Sequence, residues 1–112
     1  MKQRDLVLVE IPYSNHLQAK VRPAVVVSNN SYNQAGEDIV VCGISSVLTD
    51  QSWSVIIDAH DTLNGNLPQT SRIRADKIIF FEKKCVKKRF DELSEGKFDE
   101  LLKKIQLLVS KR

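Results

Sequence analysis

The sequence predicts a small, mostly β fold: a barrel or strongly curled sheet that ends in one α-helix. Three observations carry this. Short, β-branched apolar runs recur along the chain as far as Glu82, turn residues punctuate them, and the last segment changes to helical spacing.

Leu6-Val7-Leu8-Val9-Glu10-Ile11 reads as a buried strand that Pro12 ends. The polar stretch from Tyr13 to Val21 reads as a loop. Pro23-Ala24-Val25-Val26-Val27-Ser28 is the second strand, with proline at its first position, where a missing N–H costs least. Asn29 to Gly36 is turn-rich. Ile39 to Ile44 is the third strand, and Gly43 inside it suggests a bulge or a close backbone approach. Trp53 to Ile57 is the fourth. His60 to Gln69 holds Asn64-Gly65 and Pro68 and reads as a turn. Ser71 to Asp76 alternates as a strand, and Lys77 to Glu82 either continues it or adds another. Phe98, Leu101, Leu102, Ile105, Leu108 and Val109 then share one helical face, with Ser94 as N-cap and Glu95 in the first turn.

At 112 residues the chain is the size of one domain, 1–112, able to bury a modest core without staples. With 42% hydrophobic and 28% charged residues it is neither disordered nor unusually polar. The net charge of +3 permits a polyanionic partner without demanding one. No apolar run reaches the ~20 residues that span a bilayer, and the first residues lack a signal peptide's apolar core. Cys42 and Cys85 have no CxxC spacing, and His16 and His60 lie far apart, so neither a zinc site nor a disulfide framework is expected. A cytoplasmic setting, with no membrane, metal or cofactor, is the expectation.

Reactive side chains concentrate outside the apolar runs. His16, Lys20 and Arg22 lie in one segment before the second strand, Ser45 and Ser46 follow the third, and Arg72, Arg74, Asp76 and Lys77 crowd the fifth. Arginine clamps phosphate with its planar fork, a hydroxyl donates to a phosphoryl oxygen, and aspartate or histidine moves protons. Such groups suit phosphodiester chemistry, although each has a plainer role open to it. Ser45 could cap a turn, and Arg74 and Asp76 could form a same-face salt bridge. Trp53 is expected to pack. The basic run Lys83, Lys84, Lys87, Lys88 and Arg89 reads as a solvated face, with an RNA-backbone track as the alternative.

Order and spacing add a resemblance. Asp5-Leu6-Val7-Leu8-Val9 looks like the opening "G-D-(I/V)-x-x-V" strand of the MazF/PemK toxin endoribonucleases, with Arg4 in place of glycine. Val21 to Asn29 is similar to the family's "R-P-(A/V)-(L/V)-V-(L/V)-S" block. Val41-Cys42-Gly43-Ile44-Ser45-Ser46 is similar to "V-x-P-(I/V)-T-(S/T)", with Gly43 for proline and Ser45 for threonine. Ile73-Arg74-Ala75-Asp76-Lys77-Ile78 resembles "(V/L)-x-x-D-Q-(I/V)" in its PemK form.

The resemblance implies a small SH3-like barrel with a C-terminal helix, a homodimer, and a type II toxin held by an acidic antitoxin of the MazE or PemI kind. It implies cleavage of single-stranded RNA, often mRNA, without metal, through attack of the 2′-hydroxyl to leave a 2′,3′-cyclic phosphate and a 5′-hydroxyl. Carried onto this sequence, Arg22 matches the phosphate-stabilising arginine, Ser45 the active-site threonine, Arg74 and Asp76 the proton-transfer pair, and His16 the PemK-branch histidine. Lys20, Ser46, Arg72 and Lys77 are the accompanying substrate-binding candidates. On chemical grounds Asp76 is the base. Histidine, with an ordinary pKa of about 6.5, is a better acid than arginine at about 12.5–13.8. A non-catalytic toxin of the CcdB kind and a plain SH3-like binding module stay open as alternatives.

Overall fold

The computed structural model describes residues 1–12 and 19–112. Six strands form one antiparallel sheet in the order β4-β5-β3-β2-β1-β6. They are β1 Asp5–Pro12, β2 Ala19–Val26, β3 Asp38–Ser45, β4 Ser54–Ile57, β5 Ser71–Glu82 and β6 Val86–Glu92. The described residues also form two α-helices, α1 Asn30–Ala35 and α2 Glu95–Leu108, and short 3-10 turns at Ala59–Asp61 and Lys83–Cys85. No helix of the described residues is long and apolar enough to cross a membrane.

The sheet curls until its two edges approach one another. Thr62, beyond β4, bridges to Leu93, beyond β6, and Ser94 N–H donates to Asp61 O at 2.8 Å. The closure is a single bridge rather than a continuous ladder, so the predicted barrel is present as a nearly closed, barrel-like sheet.

Curling gives the sheet two apolar faces. Leu6, Val25, Cys42, Ile44, Val55, Ile57, Ile73 and Ala75 meet Phe98 and Leu101 of α2 on one side. Val7, Val9, Ala24, Val26, Ile39 and Val41 form a second cluster on the other, with Ile79, Phe81 and Val86 packed against it. Alternate residues of one strand therefore reach different cores, which is why the strands read as continuous apolar runs rather than as strict alternation.

Helix α2 follows its sequence signals. Ser94 Oγ accepts from Lys97 N–H at 3.3 Å, and Phe98 and Leu101 are buried while Leu102, Ile105 and Leu108 are half-buried. Several other expectations need correction. The loop reading of Tyr13 to Val21 fails at its end, because β2 starts at Ala19. Backbone pairing with β1 holds Lys20 to Ile11 and Arg22 to Val9 despite their polarity. The turn-rich Asn29 to Gly36 segment forms α1, since Asn29 Oδ1 caps it by accepting from Tyr32 N–H at 2.8 Å. The basic run is a solvated face as expected, with Lys84, Lys87, Lys88 and Arg89 exposed, but its second half is also strand β6, which the charge pattern did not reveal. Lys87 pairs with Glu10 at 2.9 Å, and Arg89 with the buried Asp5 at 2.8 Å. Residues Ser71 to Glu82 form one strand. Trp53 is 42% exposed rather than packed away, and it holds a left-handed backbone, φ 53°, at the entry to β4. Arg4 also adopts φ 76°, so the turn into β1 keeps a conformation that glycine takes without strain.

Cys42 is fully buried, and burial, with the nearby Asp76 charge, pushes its thiol up to about 12. Cys85 is half-buried. An aromatic disulfide reagent at pH 8 should therefore titrate one thiol in the native protein and two in guanidinium; rapid reaction of both without denaturant would contradict this packing.

Candidate functional site

The ladder between β3 and β5 is interrupted. Cys42 pairs with Ile78 and Ile44 with Ile73, so Gly43 alone on β3 stands opposite residues 74–77 of β5. A Cβ at Gly43 would lie 3.0 Å from Lys77 Cδ, so the bulge draws Lys77 across the glycine. The break turns Arg74 and Lys77 toward one cleft of about 730 Å³. Arg22 and Pro23 of β2 and Ser45, Ser46 and Val47 at the end of β3 line the same cleft. Its apolar floor is part of the second core, including Val9, Ala24, Val41, Ile79 and Phe81.

Asp76 is fastened to the cleft arginine. Arg74 Nε and Nη2 donate to its two carboxylate oxygens at 3.0 and 3.1 Å. These bonds hold the Asp76 carboxyl below the usual carboxylate range and raise Arg74 above the usual arginine value. The carboxylate is thus ionised and aligned, as a base must be, while Arg74 keeps its charge beside the cleft. Ser45 Oγ accepts from Val47 N–H at 3.1 Å, so it caps the turn after β3. Its own proton is left to donate elsewhere.

Of the residues singled out from the sequence, Arg22, Ser45, Ser46, Arg74 and Lys77 line this cleft, and Asp76 is tied to it through Arg74. Arg72 and Lys20 are not among the lining residues. Arg72 is only 8% exposed and donates from Nη1 to Ser54 Oγ at 3.1 Å. Lys20 is exposed near the start of β2. His16 lies outside the described residues. Sequence reasoning missed Asn66, Gln69, Phe81 and Phe90, which complete the walls. Asn66 and Gln69 sat inside a segment legible only as a turn, and the two phenylalanines are indistinguishable from core in one dimension. Among the described residues no group of three or more His, Cys, Asp or Glu side chains is arranged to hold a metal ion.

The wall carrying Asn66 and Gln69 is anchored by Asp91 of β6. This carboxylate is 0% exposed and accepts from Asn64, Asn66 and Glu92 N–H at 3.0, 2.8 and 2.7 Å. Burial pushes its carboxyl up, but the backbone donors outweigh burial and leave it below its ordinary value.

A curled sheet holds an apolar-floored cleft rimmed by cations and a hydroxyl beside an aligned carboxylate, a set of groups chemically suited to an anion and to acid–base chemistry. The chain belongs to the PemK-like, MazF-like toxin family of type II toxin–antitoxin systems, whose family model matches residues 2–109. No curated protein matches it in sequence. Among solved structures it is similar to MazF in a MazE–MazF structure from Deinococcus radiodurans, at 19% identity and a TM-score of 0.81, covering 97% of this chain and 95% of that one. It is also similar to an endoribonuclease in complex with its cognate antitoxin from a mycobacterial species, at 17% identity and TM-score 0.79, covering 100% and 99%. The Mycobacterium tuberculosis toxin MazF-mt6 matches at 16% identity and TM-score 0.73, covering 93% and 94%. At these identities the likeness is one of fold.

Removing the Asp91 carboxylate leaves three backbone donors without their acceptor. Asp91→Ala should cost about 2–4 kcal/mol, read from urea denaturation. Because the native pKa is depressed, the stability Asp91 contributes is complete above the unfolded carboxylate value of about 3.9 and is lost as pH falls through the native one. Asp91→Asn should flatten that acid-side slope, and an unchanged slope would remove Asp91 from the account.

Proposed function

We propose that this protein is an endoribonuclease toxin that cuts single-stranded RNA, with mRNA the expected target, by attack of the 2′-hydroxyl on the adjacent phosphate. The observation that carries the reading is the convergence of Arg22, Ser45, Arg74 and Lys77 on one cleft, with Asp76 fastened to Arg74. Family membership and the endoribonuclease among the similar structures support it.

Each group has a role its chemistry allows. Asp76, held ionised, takes the 2′-hydroxyl proton as the oxygen attacks phosphorus. The phosphorane gains negative charge, which Arg22, Arg74 and the Ser45 hydroxyl stabilise more strongly than the ground state. The 5′-oxygen leaves with a proton, for which His16 is the assigned donor, and the products are a 2′,3′-cyclic phosphate and a 5′-hydroxyl. Lys77 and Ser46 hold flanking phosphates. The bidentate Arg74–Asp76 bond must loosen as Arg74 turns toward phosphate, and the incoming anion favours that exchange.

The protein acts as a cytoplasmic homodimer controlled by an acidic antitoxin. Ile78 and Phe80 are exposed on the part of β5 beyond the end of β4, and Leu107 and Val109 are exposed on and just past α2, so apolar surface is available for a second subunit. An antitoxin tail of acidic residues and apolar anchors suits a cationic cleft with an apolar floor, and the reading is supported by a similar structure that holds an endoribonuclease in complex with its cognate antitoxin.

Single-stranded RNA should be cut in excess EDTA, and a 2′-deoxy substitution at the cut position should abolish cleavage there. Arg22→Ala and Asp76→Ala should each slow cleavage by about 10²-fold or more, with Ser45→Thr tolerated and Ser45→Ala impaired. Wild-type rates in both alanine variants would dismantle the site, and absence of cleavage on all RNAs would favour the non-catalytic toxin or binding module. Sedimentation at micromolar concentration should show a species of twice 12.7 kDa.

A further inference from the structure

Arg72 is the residue whose surroundings the site above does not explain. It lies on β5 two residues before Arg74, directly opposite Ser45 of β3 on one side and Ile56 of β4 on the other. Directly paired residues share a face, so Arg72 stands in one row with a cleft residue. Yet it is 8% exposed, and among the described residues Nη1 bonds the neutral Ser54 hydroxyl and its buried Nε has no hydrogen-bond partner.

Topology explains the burial. β3 and β4 both run antiparallel to β5 and flank it, so they are parallel to each other. The connection between them, residues 46–53, must therefore cross β5. Helix α2 packs on the face that carries Ile73 and Ala75, so the crossing uses the opposite face, which carries Arg72 and Arg74. Ser46 and Val47 of this connection line the cleft. An Asx turn from Ser52 N–H to Asp50 Oδ1, 2.9 Å, and the left-handed Trp53 then bring the chain into β4, where Trp53 O accepts from Ala75 N–H at 2.8 Å.

We propose that Arg72 is a positioning residue, a buried cation that sits under the crossing loop and sets the placement and charge of the Arg74–Asp76 pair without touching substrate. A guanidinium with one neutral partner and an orphaned donor is a poor way to stabilise a fold, because an apolar side chain of similar reach avoids the desolvation cost. Its use is electrostatic. Arg72 and Arg74 lie two apart on β5 and so share the face that the loop carrying Asp50 crosses, and the charges of both arginines lower the Asp50 and Asp76 carboxyls. The Cys42 thiol of β3, held neutral, feels the Asp76 charge as well, and Lys77 is next to Asp76 in the chain. Arg72 thus adds a fixed positive charge behind a pair whose arginine must turn away toward phosphate. When Arg74 turns, Arg72 keeps the carboxylate charged.

Carbon-detected NMR titration of the Asp76 carboxyl decides the matter without any turnover. The variants are Arg72→Met, Arg72→Gln and Arg72→Lys. Ser54 Oγ also donates to Ser52 O at 3.0 Å, so its proton stays satisfied without Arg72, and Tm should stay within about 5 °C of wild type. The Asp76 midpoint should rise in Met and Gln and return toward wild type in Lys. The catalytic half rests on the ribonuclease reading. There kcat should fall about tenfold in Met and Gln, with KM within about threefold and the acid limb of the rate profile moved up. An unmoved Asp76 midpoint in the neutral variants overturns the proposal. Failure of both neutral variants to fold also overturns it, by assigning Arg72 to the fold. A wild type that cuts no RNA removes the ribonuclease reading while the titration still answers for Arg72.

Discussion

The register break between β3 and β5 is the constraint on which the site depends. A regular ladder through Gly43 would send Arg74 and Lys77 to opposite faces, one into the cleft and one away from it. Four residues opposite one reset the alternation, so both reach the cleft and Asp76 falls where Arg74 can grip it. Glycine at position 43 makes the break possible in this form. Lys77 crosses where a Cβ would stand, and only the flexible stem of that lysine would have to yield to a larger residue. The same break bends the longest strand, which helps the sheet curl until Thr62 meets Leu93.

Curling also explains why the site has an apolar floor. In a flat sheet of this size one face would be covered by α2 and the other would be wet. Here the second face folds on itself around Val7, Val9, Ala24, Val26, Ile39 and Val41, and the cleft opens at the margin of that cluster. The polar groups stand around a low-dielectric floor, where a charge or hydrogen bond acts more strongly than in bulk water. Asp91 of β6, buried and 25 residues beyond Asn66 in the chain, bonds the backbone of the wall at Asn64 and Asn66, so a carboxylate away from the cleft holds one of its sides.

Much of this was legible in one dimension, and for identifiable reasons. The β-branched runs and the i, i+3, i+4 stripe from Phe98 mark strands and helix because burial on a sheet or helix face imposes those periods. Arg22, Ser45, Ser46, Arg74, Asp76 and Lys77 stood out because their types suit phosphate chemistry and because they fall in or beside segments that resemble the MazF/PemK motifs. Strand β6 was hidden because charge suggests solvent, and its cations find partners on β1 and its margins that only folding supplies. Lys20 and Arg72 show the converse limit. Residue type marks them as anion binders, but the place of Lys20 on β2 and the loop over Arg72 are facts of topology. Asn66, Gln69, Phe81 and Phe90 converge from segments far apart in the chain, and local pattern carries no trace of that.

The ion pairs outside the cleft also give the surface field a shape. Lys84, Lys87 and Arg89 are matched by Glu82, Glu10 and Asp5, so three of the five cations in the densest basic stretch of the sequence are offset by a carboxylate, while Lys83 and Lys88 add their charge to the field. Among the described residues Arg22 and Lys77 have no carboxylate paired to them, and they border a walled depression, a geometry that focuses field lines. A long polyanion drifting past would be turned toward that opening before any contact forms. The partly offset flank would hold such a chain more weakly than the walled mouth, so a polyanion would be drawn chiefly to one opening instead of searching the whole surface evenly.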